Sequence, residues 1–213
     1  MDRREPDVVP NPPTCEREWI CTGKCTRPEC ARLTKAHLVR NRVVNSNRSR
    51  VQRSGYGTSI DRNPGIPAEN NFSFTLQLNS TEAATPSCVS LGPIGMTLNG
   101  VVFYDAVDAR GNDALAHEIV DVYGGHPAQS DYHYHFVPWR LDGVPPLGDG
   151  HSGLVGYIRD GFGIYGYKGI GRQELSNDDL DECHGHSHTP IGYHYHATIE
   201  YPYTIGCYRG TPI

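Results

Sequence analysis

The chain has 213 residues, with 24 Gly, 16 Pro, 13 Tyr, seven Cys and a formal net charge of -5. That length supports one hydrophobic core, the composition favours strands and loops over a helical bundle, and no run approaches the ~18 apolar residues of a membrane span. Residues 31–53 hold seven Lys/Arg and no acid, whereas residues 95–213 hold six Lys/Arg against fifteen Asp/Glu, a net of -9; the C-terminal part therefore attracts cations, repels phosphate and argues against nucleic acid as a main partner.

Residues 1–54 read as an N-terminal arm, first cysteine-rich and then basic. In "CEREWICTGKCTRPEC", Cys15, Cys21, Cys25 and Cys30 lack the paired C-x2-C knuckles of most structural zinc sites, which favours disulfides and an oxidising compartment. The basic stretch from Arg32 to Arg53 reads as a solvated segment. The charged opening "MDRREPD" is no signal-peptide core, so export implies that the signal has been removed. Sequons at Asn47, Asn71 and Asn79 agree with a secreted, extracellular or periplasmic protein.

Residues 55–213 read as one domain, all-β or β-rich α+β. "ENNFSFTLQLNS", residues 69–80, alternates Phe72, Phe74, Leu76 and Leu78 and predicts a half-buried strand. Beyond it the chain repeats itself. "PIGMTLNGVVFY" (93–104) aligns with "LVGYIRDGFGIY" (154–165) at an offset of 61, "DVYGGH" (121–126) with "DECHGH" (181–186) at 60, and "DYHYH" (131–135) with "GYHYH" (192–196) at 61. The matched positions are Gly, Asp, His and Tyr, so we read two internal copies, 94–138 and 155–199, as pseudo-twofold related β halves.

Each copy opens with Asn99-Gly100 or Asp160-Gly161 between apolar runs, the pattern of a type I′ hairpin. A polar connection follows, with room for a short helix in "ALAHEIV". Next come the Asp/Gly-His loop and the Tyr-His-Tyr-His strand. Side chains alternate along a strand, so His133 and His135 leave one face and Tyr132 and Tyr134 the other; His194, His196, Tyr193 and Tyr195 repeat this. Imidazoles at i and i+2 stand roughly 6.5–7 Å apart at Cα, close enough to share an ion, as in three-histidine catalytic zinc sites. The third ligand predicted for each set is His126 or His186. Asp121 and Asp181 are predicted to orient a ligand imidazole or to serve as general base. His37, His117, His184 and His188 read as surface residues, and His151, in the glycine-rich "GDGHSG", is assigned to neither class.

These residues resemble the YHYH domain family over about residues 94–213, on "NGVVFY", "DYHYH", "HSGLVGYIRDGFGIYG", "LDECHGH", "GYHYHAT" and "YPYTIGCYRGTP". The resemblance implies an exported or extracellular domain and says little of its chemistry. The family pattern has a Cys near Tyr123, which this chain lacks.

Cys183 and Cys207 are predicted to pair, closing a loop worth roughly 3 kcal/mol; Cys88 is predicted to join one of the N-terminal cysteines. The chain shows no G-x-S-x-G, H-E-x-x-H, P-loop or dinucleotide motif. Three functions stay open. One is an exported divalent-metal protein, holding zinc or copper(II), that acts as a hydrolase or hydratase on an unidentified small molecule. The second is a non-catalytic metal-binding or storage module, and the third a structural or adhesive extracellular domain.

Overall fold

The computed structural model describes residues 65–77, 79–141 and 148–213, with the backbone of 38–39 and 45–46. The four N-terminal cysteines, most of the basic stretch and Leu78 lie outside the described residues. Eight strands build one mixed sheet: β1 Pro93–Thr97, β2 Val102–Tyr104, β3 His126–Ala128, β4 Asp131–Tyr134, β5 Leu154–Ile158, β6 Gly163–Tyr165, β7 Gly185–His188 and β8 Gly192–His196. Their order is β7-β8-β6-β5-β1-β2-β4-β3. Helix among the described residues is one turn at Ala114–His117 and two 3-10 turns, Ile170–Arg172 and Asn177–Asp179. None is long and apolar enough to cross a membrane.

The register of this sheet follows the sequence offset of 61. At its centre β1 and β5 are antiparallel with Met96 opposite Tyr157, and the flanking pairs Gly95–Ile158 and Thr97–Gly156 exchange under the same offset. Further out, β2 runs parallel to β4 with Phe103 opposite Tyr134, and β6 runs parallel to β8 with Ile164 opposite Tyr195. Antiparallel hairpins then form both edges: β3–β4 at one and β7–β8 at the other.

The two predicted hairpins β1–β2 and β5–β6 are present, but their turns differ from type I′. Only Gly100 (φ 90°) and Gly161 (φ 88°) are left-handed. Gly100 N–H donates to Thr97 O (2.9 Å) and Gly161 N–H to Ile158 O (2.8 Å). That is a type I turn closed by a left-handed glycine, the usual three-residue hairpin. Asn99 keeps negative φ because its side-chain oxygen accepts Val101 N–H (3.3 Å) and also pairs with the Thr97 hydroxyl.

The strand predicted over 69–80 is broken. Asn71–Phe72 pairs with Asn45–Ser46, and Leu76–Gln77 with Leu38–Val39, because the partners are two separate pieces of chain. Phe72, Phe74 and Leu76 are nonetheless at least half-buried, as their alternation requires.

The tyrosine side of the repeated runs faces the core. Tyr132, Tyr134 and Tyr195 join Ile94, Phe103, Ile158 and Ile164 in one buried cluster, and Tyr193 packs against it. The predicted disulfide Cys183–Cys207 is present, with Cα atoms 4.5 Å apart. It ties the loop before β7 to the C-terminal segment. There Arg209 N–H donates to the Tyr195 hydroxyl (2.7 Å), which donates in turn to Asp160 (2.5 Å).

Candidate metal centres

Pairing in the edge hairpins decides which histidines meet. In β3–β4, His126 lies directly opposite His133, so both side chains leave the same face about 5 Å apart at Cβ. His135, two residues on, returns to that face. The three Nε2 atoms form a near-equilateral triangle: 3.0 Å from His126 to His133, 3.2 Å from His126 to His135 and 3.0 Å from His133 to His135. Gly125 precedes His126 for a packing reason: a Cβ there would lie 2.6 Å from the Tyr132 ring. Gly185 meets Tyr193 in the same way.

The other ring nitrogen of each imidazole faces a main-chain carbonyl. His126 Nδ1 donates to Ile119 O (2.9 Å), His133 Nδ1 to Asp131 O (2.9 Å) and His135 Nδ1 to Asp105 O (2.5 Å). A carbonyl only accepts, so each Nδ1 carries the hydrogen and each Nε2 presents a lone pair. Burial holds His133 down to about 3 and His135 to about 4, so both are neutral near pH 7. Three lone pairs thus converge with no donor between them. One proton would relieve one edge of the triangle, whereas a cation bonds all three corners. The three nitrogens are close enough together that His126, His133 and His135 would hold one ion with bonds of about 2.0–2.1 Å.

Glu118 stands beside this group and is not among the residues that the sequence singles out. It caps the C-terminal end of the one-turn helix Ala114–His117, whose N-cap Asp113 accepts Leu115 N–H (3.0 Å). A carboxylate oxygen stands 3.0 Å from His126 Nε2 and 3.4 Å from His135 Nε2, with the side chain 28% exposed. The ring of Tyr104 stacks on His133 at 4.0 Å.

The second hairpin repeats the arrangement. His186 lies opposite His194, and Nε2 of His194 is 3.1 Å from those of His186 and His196. His194 Nδ1 donates to Gly192 O (2.8 Å) and His196 Nδ1 to Gly166 O (2.6 Å); both carbonyls lie 61 residues after Asp131 and Asp105. Burial lowers His194 to about 3 and His196 to about 2, and pulls His186 down as well. Here the fourth member is His151. Its Nε2 is 3.1 Å from that of His194 and 3.0 Å from that of His196, while its Nδ1 donates to Ser152 O (2.6 Å). The four ligand nitrogens all lie within 4.8 Å of one another.

All six histidines predicted as ligands are therefore gathered, in two groups that could each hold a metal ion: His126, His133 and His135, and His151, His186, His194 and His196. The groups stand at opposite edges of the sheet.

Asp121 and Asp181 are used differently from the prediction. Asp121 accepts Tyr123 N–H (2.8 Å), Gly125 N–H (3.2 Å) and the Tyr132 hydroxyl (2.8 Å). Asp181 accepts Cys183 N–H (3.0 Å), Gly185 N–H (2.9 Å) and the Tyr193 hydroxyl (3.1 Å). These carboxylates brace the Gly-His loop from the tyrosine side, and main-chain carbonyls orient the imidazoles.

His184 and His188 are not the surface residues they were read as. His184 is buried, with Nδ1 donating to Thr204 O (2.8 Å) and Nε2 2.9 Å from the Asn177 side chain. His188 rests its ring 4.8 Å from His151 and 5.1 Å from His194.

The sequence model of the family described as YHYH protein matches residues 73–177, which takes in His126, His133, His135, Glu118 and His151 and ends before His186. No curated protein and no solved structure matches the chain.

Proposed function

We propose, with the match of residues 73–177 to the YHYH family as premise, that the chain is a divalent-metal protein holding one ion in each histidine group. The observation that carries this reading is the set of Nδ1–H to carbonyl bonds, which turns six of the seven Nε2 lone pairs, all but that of His186, into the two groups. Imidazole nitrogens, joined in the first group by one carboxylate, are a donor set for zinc or copper(II). The Cys183–Cys207 disulfide supports action in an oxidising compartment, as an exported protein. We further infer that the two halves, 94–138 and 155–199, arose by duplication; their equal strand registers and their equivalent carbonyl partners support this.

The test is elemental analysis of protein purified without a histidine tag, after dialysis against buffer containing trace zinc and copper. Two ions per folded chain are expected, falling to one in His133→Ala/His135→Ala and to one in His194→Ala/His196→Ala. A folded wild type that retains no metal would defeat the reading, as would unchanged metal content in both variants.

A further inference from the structure

Resting on that metal reading, we propose that the two ions have different roles: the His126–His133–His135 ion keeps an exchangeable position that takes a small uncharged molecule offering an oxygen or nitrogen lone pair, and the second ion is closed by His151.

The difference arises at the fourth position. Under the offset of 61, His151 falls on Ser90, which is exposed, so the first group has no fourth imidazole. Its fourth neighbour is the partly exposed Glu118, delivered from the one-turn helix. The positions that match Glu118 in the second half, Asp178 and Asp179, are both exposed, and Asp179 is engaged in capping Ser176. Each half therefore fills the place by a route the other lacks. A site with four protein ligands is the closed, structural kind, and one with three nitrogens and a displaceable neighbour is the open kind.

The surroundings agree. A cleft of about 550 Å3 opens directly onto His126, His133, His135 and Glu118, within the range of small-molecule sites. Leu91, Val107, Ile119 and Pro127 supply an apolar wall. In the second group His151, His194 and His196 are 0% exposed and His186 is partly exposed, and His188 leans its ring over His151 and His194. An apolar cleft ending at a metal selects a ligand with one lone-pair donor and an apolar body. The carboxylates of Asp108 and Glu118 along the same cleft disfavour an anionic one.

The experiment is a spectroscopic titration of the protein loaded with two cobalt(II) ions, using 1-benzylimidazole as the probe and imidazole for comparison. Wild type should bind one equivalent of 1-benzylimidazole, about tenfold more tightly than imidazole because the benzyl group is buried against the apolar wall. His194→Ala/His196→Ala should keep that equivalent and His133→Ala/His135→Ala should lose it. His151→Ala leaves room for one imidazole ring at the second site, so it should bind two equivalents of imidazole where wild type binds one. Zero or two equivalents of 1-benzylimidazole in wild type, retention of that probe by His133→Ala/His135→Ala, or one equivalent of imidazole in folded His151→Ala would each overturn the proposal. The wild-type stoichiometry stands as a test even where a variant fails to fold. Failure to load cobalt at all would instead strike the metal reading itself.

Discussion

Replacing Asp121 by alanine separates a structural carboxylate from a catalytic one. Asp121 is buried and accepts hydrogen bonds from Tyr123 N–H at 2.8 Å, Gly125 N–H at 3.2 Å and the Tyr132 hydroxyl at 2.8 Å. A hydrogen bond to a charged acceptor contributes about 1.5–3 kcal/mol, and donors left buried without a partner add to the loss. Taking the lower figure for each bond, Asp121→Ala should lose about 4.5 kcal/mol of stability and Tyr132→Phe about 1.5 kcal/mol. For a chain of this size, about 4.5 kcal/mol corresponds to a fall in Tm of roughly 9–18 °C. The measurement is urea unfolding with a chelator present, so that metal linkage does not enter. A second readout is the metal content of each site, since Gly125 and His126 lie on the loop that Asp121 braces: the first site should weaken while the His151 site holds its ion. Asp181→Ala should mirror the result at the second site. The reasoning is refuted if Asp121→Ala unfolds within about 1 kcal/mol of wild type yet abolishes metal binding, because the carboxylate would then serve the ion directly.

Acid should unfold the chelated protein. Burial holds His133, His135, His194 and His196 at about 3, 4, 3 and 2, below the unfolded value of about 6.5, so their contribution is intact above pH ~6.5 and is lost as pH falls toward their folded values. At pH 5 this amounts to about 2 kcal/mol per ring, and circular dichroism against pH, with native signal retained at pH 4, would contradict it. Cys183→Ser/Cys207→Ser should cost about 3 kcal/mol, read by thermal unfolding, and should loosen the second ion more than the first because Cys183 lies three residues before His186. Glu118→Gln should leave two ions bound, because the three imidazoles of the first group remain, and loss of the first ion in elemental analysis would instead make the carboxylate an indispensable ligand.

What the sequence alone determined rests on short-range periodicity. The Tyr-His-Tyr-His runs have period 2, and a strand converts that into a tyrosine face and a histidine face without further information. Asn99-Gly100 and Asp160-Gly161 marked both hairpins because a left-handed residue was needed there, although the turn type depended on how Asn99 spent its side chain. His126 and His186 were reachable because each lies one hairpin away from its partners. The resemblance to the YHYH family drew on the same local motifs.

Tertiary structure decided the rest. His151 joins His194 from 43 residues away and Glu118 joins His126 from a helix of one turn, and no spacing rule encodes either approach. The Nδ1 partners are backbone carbonyls, which every residue carries, so sequence cannot single out Asp105 or Gly166 for that role. Asp121 and Asp181 were visible as a repeated pair, but their direction was not: the tyrosine hydroxyls and loop N–H groups lie on one side of the hairpin and the imidazoles on the other. The asymmetry between the two sites follows from the same cause. The halves share the local pattern that makes a three-histidine set, and they differ in the distant segments that fold over it.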